Sequence, residues 1–243
     1  MTKGLKVRTL WGRAGIAGLL FFLVATPYAY PEAYIGGQLG STVAGKSLTG
    51  VELTEFSPAG TMSDRALANS AMFGIKAGYY FPRARWFGLE TELYQTNPHI
   101  KQQSTTVSIT PGAILRDFGP VAGGTSTGVL SGDQFRVRTW VPVNAMFRYH
   151  KTRLQPYIGF GPALFMARVK TTVTGFEGTQ SSARLGINVK AGLEYFITQN
   201  FSASLEGRYN KANFIFDPTS SGGFGFKANY EMMFAAIGLN YHF

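Results

Sequence analysis

Cysteine is absent from all 243 residues, which excludes disulfides and thiolate metal centres. Backbone pairing and packing must hold the fold. Histidine occurs only at His99, His150 and His242, with no pair at a spacing that would share a metal ion. Charged residues make up 15% of the chain, against about 25% in soluble domains. Lys and Arg outnumber Asp and Glu by 23 to 13 but form no run on a recognisable module, so no nucleic-acid partner is expected. The glycine run ending at Gly225 lacks the Lys and the strand-to-helix setting of a phosphate loop and reads as a flexible loop; no cofactor is expected. No apolar run reaches the roughly 20 residues of a transmembrane helix. If the chain crosses a bilayer, it crosses with strands.

The longest apolar run, 14–25, is about 12 residues and follows Lys3, Lys6, Arg8 and Arg13. A basic start, a short apolar stretch and small residues after it predict a secretory signal peptide over 1–29. Its cut falls between Ala25 and Ala33, where Pro27 and Pro31 spoil the obvious sites. Removing 1–29 takes away four positive charges and no negative ones, lowering the net charge from +10 to +6. Residues 30–243 then form one domain.

Period-two alternation dominates the rest, and it marks strands with one apolar face. In the last stretch Met233, Ala235, Ile237, Leu239, Tyr241 and Phe243 alternate with Phe234, Ala236, Gly238, Asn240 and His242. Eight such segments are read, at 33–44, 72–81, 87–97, 134–149, 155–172, 183–198, 201–216 and 230–243. The connections at 45–71, 98–133, 173–182 and 217–229 are long and rich in Gly, Ser and Thr, so they read as mobile loops without further structure. Those at 82–86, 150–154 and 199–200 are short. Alternation of long and short connections around an even strand number is the rhythm of a membrane barrel. The Tyr-Ile-Gly at Tyr34 and Tyr157, and the Lys-Ala-Gly at Lys76 and Lys190, recur four strands apart. Duplication of a half-barrel and convergence on barrel-friendly composition both account for that echo.

Alternation alone does not separate a membrane barrel from a soluble, lipocalin-like one. The charges do. Lys76, Arg148, Lys190 and Arg208, with Glu90, Glu92, Glu194 and Glu206, all lie opposite the apolar sets of their segments. Among those apolar sets are Phe73, Ile75, Leu89, Leu93, Val141, Val143, Ile187, Val189 and Leu205. Each Lys or Arg facing lipid near the midplane would cost about 2–4 kcal/mol. Four would consume most of a stability of about 5–15 kcal/mol. The charges are therefore expected inside, as a paired network, with Gly74, Gly78, Gly88, Gly186 and Gly192 leaving room for long side chains. Aromatic residues group at the two ends. Tyr79, Phe81, Trp86, Phe87, Tyr149, Tyr157, Tyr195, Phe196, Phe201, Tyr241 and Phe243 lie by the short turns. Tyr94, Trp140, Phe165, Tyr209 and Tyr230 are expected to form the opposite belt.

Eight strands, inward charge pairs, a leader and the terminal Tyr241-His242-Phe243 together resemble the small OmpA-like or opacity-type outer-membrane β-barrel family over 33–243. The resemblance implies an all-β, up-and-down antiparallel transmembrane barrel in the cell outer membrane. Its lipid partners would include lipopolysaccharide. It implies a terminal strand whose Leu239, Tyr241 and Phe243 are read by the barrel assembly machinery, and a monomer. Some relatives continue into a peptidoglycan-binding domain; with the barrel occupying the chain to 243, that role is not expected. The functional expectation is a non-enzymatic anchor with interacting surface loops. Alternatives are a narrow porin-like channel, a carrier of small apolar ligands and, further off, a lipid A-modifying enzyme. The last needs a hydroxyl activated by a base, for which His99 and Ser104 are the only pair to consider. Eight-stranded barrels are usually filled by their own side chains, which favours a plugged interior.

Overall fold

The structure, a computed structural model, describes residues 32–116, 118–171, 178–218 and 224–243. The signal-peptide reading and part of the glycine-rich run lie outside the described residues.

Eight long strands form one antiparallel ring: β1 Glu32–Leu53, β2 Ala71–Phe81, β3 Ala84–Thr96, β4 Asp133–Arg148, β5 Leu154–Thr171, β6 Gly178–Phe196, β7 Phe201–Phe216 and β8 Phe226–His242. Each pairs with its sequence neighbour, and β1 closes the ring against β8, from Tyr34 opposite His242 to Leu53 opposite Phe226. Closure leaves no sheet edge around the wall. At the short-turn end the terminus is tied in: the Phe243 amide donates to the Ala33 carbonyl at 3.0 Å, and the His242 amide donates to that of Asn200 at 2.7 Å.

Several strands outrun the segments read from sequence, because the barrel continues well past the height of a bilayer. The first two long connections also carry β structure, contrary to the reading of them as mobile loops. Gly60–Met62 and Gln103–Ile109 add to the upper part of β1, and Gly124–Leu130 pairs with Gln103–Ile109. Phe56–Ser57, Ile114–Leu115 and Gly119–Pro120 form a separate small sheet. Hydroxyls that suggested loop instead bond across strands, Thr106 with Thr127 at 2.9 Å and Ser108 with Thr125 at 3.0 Å. Beneath them Leu53, Phe56 and Ala113 bury against one another.

A β-bulge corrects the reading of β4. Pairing slips between Val141 and Asn144 against β3, and between Trp140 and Ala145 against β5. Val141 therefore turns inward, fully buried, while Pro142 is exposed. Pro142 has no amide to give the ladder, so a slip there costs the sheet least.

Candidate functional site

The eight charges expected inside are all buried, in two groups. Three cations and three anions share the barrel centre. Lys190 Nζ contacts Glu90, lies 2.6 Å from Glu92 and 3.8 Å from Glu206. Arg208 Nη2 lies 2.5 Å from Glu92 and also bonds Glu206. Lys76 reaches Glu206 at 3.5 Å. Neutral donors complete the carboxylates: Tyr34 to Glu90 at 2.6 Å, Tyr157 to Glu206 at 2.8 Å, and Gln38 and Asn144 to Glu92 at 3.1 and 2.7 Å. Taking charges out of water is costly, and only such dense pairing offsets it.

Nearer the short turns Glu194 accepts from Ser202 and Asn240, both at 2.6 Å, and His242 Nε2 stands 3.2 Å away. Arg148 stacks 3.7 Å over the Tyr80 ring and donates to the Arg85 carbonyl. Tyr34 links the two levels, stacking on Tyr80 while bonding Glu90. The Ser202–Asn240–His242 set was not singled out from the sequence, although all three share the inward phase of Glu206 and Gly238. It ties β6, β7 and β8 together where the chain ends.

The repeated tripeptides occupy equivalent places. Tyr34 lies over Gly78, and Tyr157 over Gly192. Their hydroxyls bond Glu90 and Glu206, each one strand further on. A Cβ at Gly78 or Gly192 would meet the tyrosine ring at 2.5 or 2.7 Å, so only glycine allows this approach.

Above the ions lies a thin polar level, Tyr94 to Asn210 at 3.0 Å and Asn188 to Asn210 at 2.7 Å, with the Arg208 guanidinium 4.4 Å over the Tyr94 ring. Higher still the interior is apolar. Phe135, Phe165, Phe214, Phe216, Tyr230, Met232 and Phe234 are almost fully buried and pack with Leu48, Val137 and Val169. This corrects the assignment of Tyr94, Phe165 and Tyr230 to an outer belt. Their strand phase points them in, and Tyr157 at the other end is likewise internal.

Outside, the order is reversed. From Pro156 to Met166 on β5, and from Phe243 to Met233 on β8, the outward residues are almost all apolar. Ten residues at about 3.3 Å each, tilted by about 40°, span roughly 25 Å, the height of a lipid-facing band. Leu239, Tyr241 and Phe243 lie on this face. Trp140 and Tyr209 mark its upper edge. Above it the outward positions become Arg136, Arg138, Arg168, Lys170, Lys211 and Lys227. At the lower rim, the half-buried His150 has its pKa held below the usual imidazole value, first by desolvation and then by Arg148, Arg85 and Lys151.

His99 and Ser104 are both exposed, and no hydrogen bond joins them. His99 instead lines a groove with Arg136 and Arg168. Among the described residues no group of three or more His, Asp or Glu side chains is placed to hold a metal ion.

A closed barrel, apolar outside over a bilayer's height and ion-paired inside, is a transmembrane barrel of the outer membrane. Residues 14–243 match the outer membrane protein beta-barrel domain family, and the chain belongs to it. Among solved structures, the outer membrane protein OprG of Pseudomonas aeruginosa aligns with a TM-score of 0.57 at 14% identity, over 88% of this chain and 97% of that one. Neisserial surface protein A (NspA) gives 0.51 at 14% identity, over 87% and 97%. The outer membrane protease OmpT of Escherichia coli gives 0.46 at 12% identity, over 86% and 97%. At these identities the likeness to OprG and NspA concerns the fold alone. No curated protein sequence matches the chain significantly.

Proposed function

We propose that this outer-membrane barrel is a non-enzymatic, non-conducting anchor that carries a rigid β extension at the cell surface. The observation that carries this reading is the double stopper inside the ring. Three cations and three anions fill its middle, and a layer of buried aromatic rings lies above them. Ions crossing it would have to break the pairs and then enter an apolar plug, which is costly at both steps. The separation of His99 from any activated hydroxyl supports a role without catalysis. The protein is a monomer in contact with outer-leaflet lipid, including lipopolysaccharide, and its last strand presents Leu239, Tyr241 and Phe243 to the assembly machinery. Planar-bilayer recording of the refolded protein tests the closed barrel: no steady single-channel conductance is expected, and stable unitary steps would refute it. Lipid A mass analysis after expression tests the absence of catalysis, with an unchanged mass spectrum expected.

A further inference from the structure

The cations just above the lipid-facing band are not alike. On one side of the barrel Lys211 pairs with Glu231 at 2.6 Å, and Lys227 lies 3.9 Å from Glu52. On the β4–β5 side no carboxylate among the described residues pairs with Arg136, Arg138, Arg168 or Lys170. Arg136 stands directly opposite Arg168 across the ladder, with Gln134 opposite Lys170 one step higher. Like charges facing each other across a sheet repel. Two of the guanidiniums are nonetheless held in place: Arg136 Nε donates to Asn97 Oδ1 at 3.1 Å, and Arg138 Nε donates to Gln95 Oε1 at 2.9 Å. Each uses its Nε there, leaving the Nη groups directed elsewhere. Arg136, but not Arg138, lines a groove of about 540 Å³ together with Asn97, His99, Gln134, Arg168 and Lys170. Its foot is apolar: below the Arg136–Arg168 pair, Met166 stands opposite Arg138, and Trp140 stands opposite Leu164 one outward step further down.

We propose that this groove binds the phosphate groups of an outer-leaflet glycolipid whose acyl chains lie along Trp140, Leu164 and Met166. Height and charge select that occupant. Guanidiniums such as the held Arg136 and the facing Arg168 match phosphate oxygens bidentately, an anion removes the Arg136–Arg168 repulsion, and the headgroup plane lies directly above the apolar band. The inference rests on the membrane level and lipid contact of the proposed anchor, and it gives that contact a location.

The test uses the full chain in zwitterionic micelles, titrated with diphosphorylated lipid A, with the same lipid after phosphatase treatment, and with inorganic phosphate. The expected result is binding of lipid A that weakens at least tenfold on dephosphorylation, and weakens with rising salt. A variant with Arg136→Gln, Arg168→Gln and Lys170→Gln should lose at least tenfold in affinity while keeping the parent's heat-modifiable gel mobility. A variant with Lys211→Gln and Lys227→Gln should bind within twofold of the parent. Equal affinity of the triple variant, or indifference to dephosphorylation, overturns the site. Inorganic phosphate binding as tightly as the lipid would make it a soluble-anion site and overturn the lipid assignment. A conducting barrel would refute the anchor without touching these results, so the two failures are distinguishable.

Discussion

The lower and upper halves of this barrel are built from the same strands in the same phase, yet their polarity is opposite. Along β7 the outward positions run Phe201, Ala203, Leu205, Gly207 and Tyr209, then Lys211 and Asn213. The inward ones run Ser202, Ser204, Glu206, Arg208 and Asn210, then Ala212, Phe214 and Phe216. Nothing in the backbone changes at residue 210. What changes is the solvent outside. Against hydrocarbon, apolar groups face out and the interior takes the charges. Against water the hydrophobic effect acts in its ordinary direction and fills the interior with rings. Alternation fixes which residues share a face, and the surroundings decide which face is apolar.

Breaking the ionic half should have the largest effect. Glu92→Leu takes one partner from each of Lys190 and Arg208 and leaves three cations against two anions in the interior, and such an unbalanced buried charge costs about 3–5 kcal/mol. Urea unfolding in phospholipid vesicles should report it, and a variant as stable as the parent would mean that the ions are not held as described. Breaking the aromatic half comes next. Phe214→Ala, at a fully buried position, should cost about 3 kcal/mol or somewhat more by the usual cavity scale. Its effect should remain at high salt, because no charge is involved. The repeated tyrosine–glycine contacts should be less sensitive. Gly192→Ala pushes a methyl group against Tyr157 and should cost about 1–3 kcal/mol, with Gly78→Ala similar at Tyr34. Both should be partly relieved by shortening the facing tyrosine to Leu, measured in the same denaturation series. Smallest of all, exchanging the exposed Lys211 for Gln should leave the unfolding midpoint within error, since Lys211 and Glu231 face water.

Much of this plan was legible in the sequence. The strand number, the sorting of long and short connections, and the inward phase of Lys76, Glu92, Lys190 and Arg208 follow from alternation and the cost of charge in lipid. What was misread has definite causes. Tyr94 shares the phase of Glu92, so its inward direction could have been read by counting in twos; β5 carries none of the eight inward charges, so the phase of Phe165 was not anchored in the same way. Grouping them by nearness to the strand ends gave an outer belt instead. Pro142 in mid-strand signalled the bulge that turns Val141 inward. The upper inversion was also visible, in Lys211 and Asn213 continuing the face of Leu205. The added strands at Gln103–Ile109 and Gly124–Leu130 were not legible. Their Ser and Thr residues carry no apolar alternation, and cross-strand hydroxyl bonding has no sequence period. The grouping of the eight charges into two levels depends on strand stagger, which no single segment encodes.

The most direct measurement places one substitution on each half of a single strand face: Leu205→Arg and Asn213→Arg, both outward on β7, eight residues apart. Refolding into phospholipid vesicles, scored by heat-modifiable mobility and urea titration, should show Leu205→Arg losing about 2–4 kcal/mol or failing to insert. Asn213→Arg should insert like the parent. Equal behaviour of the two variants would contradict a membrane boundary between them, and with it the inversion on which the account stands.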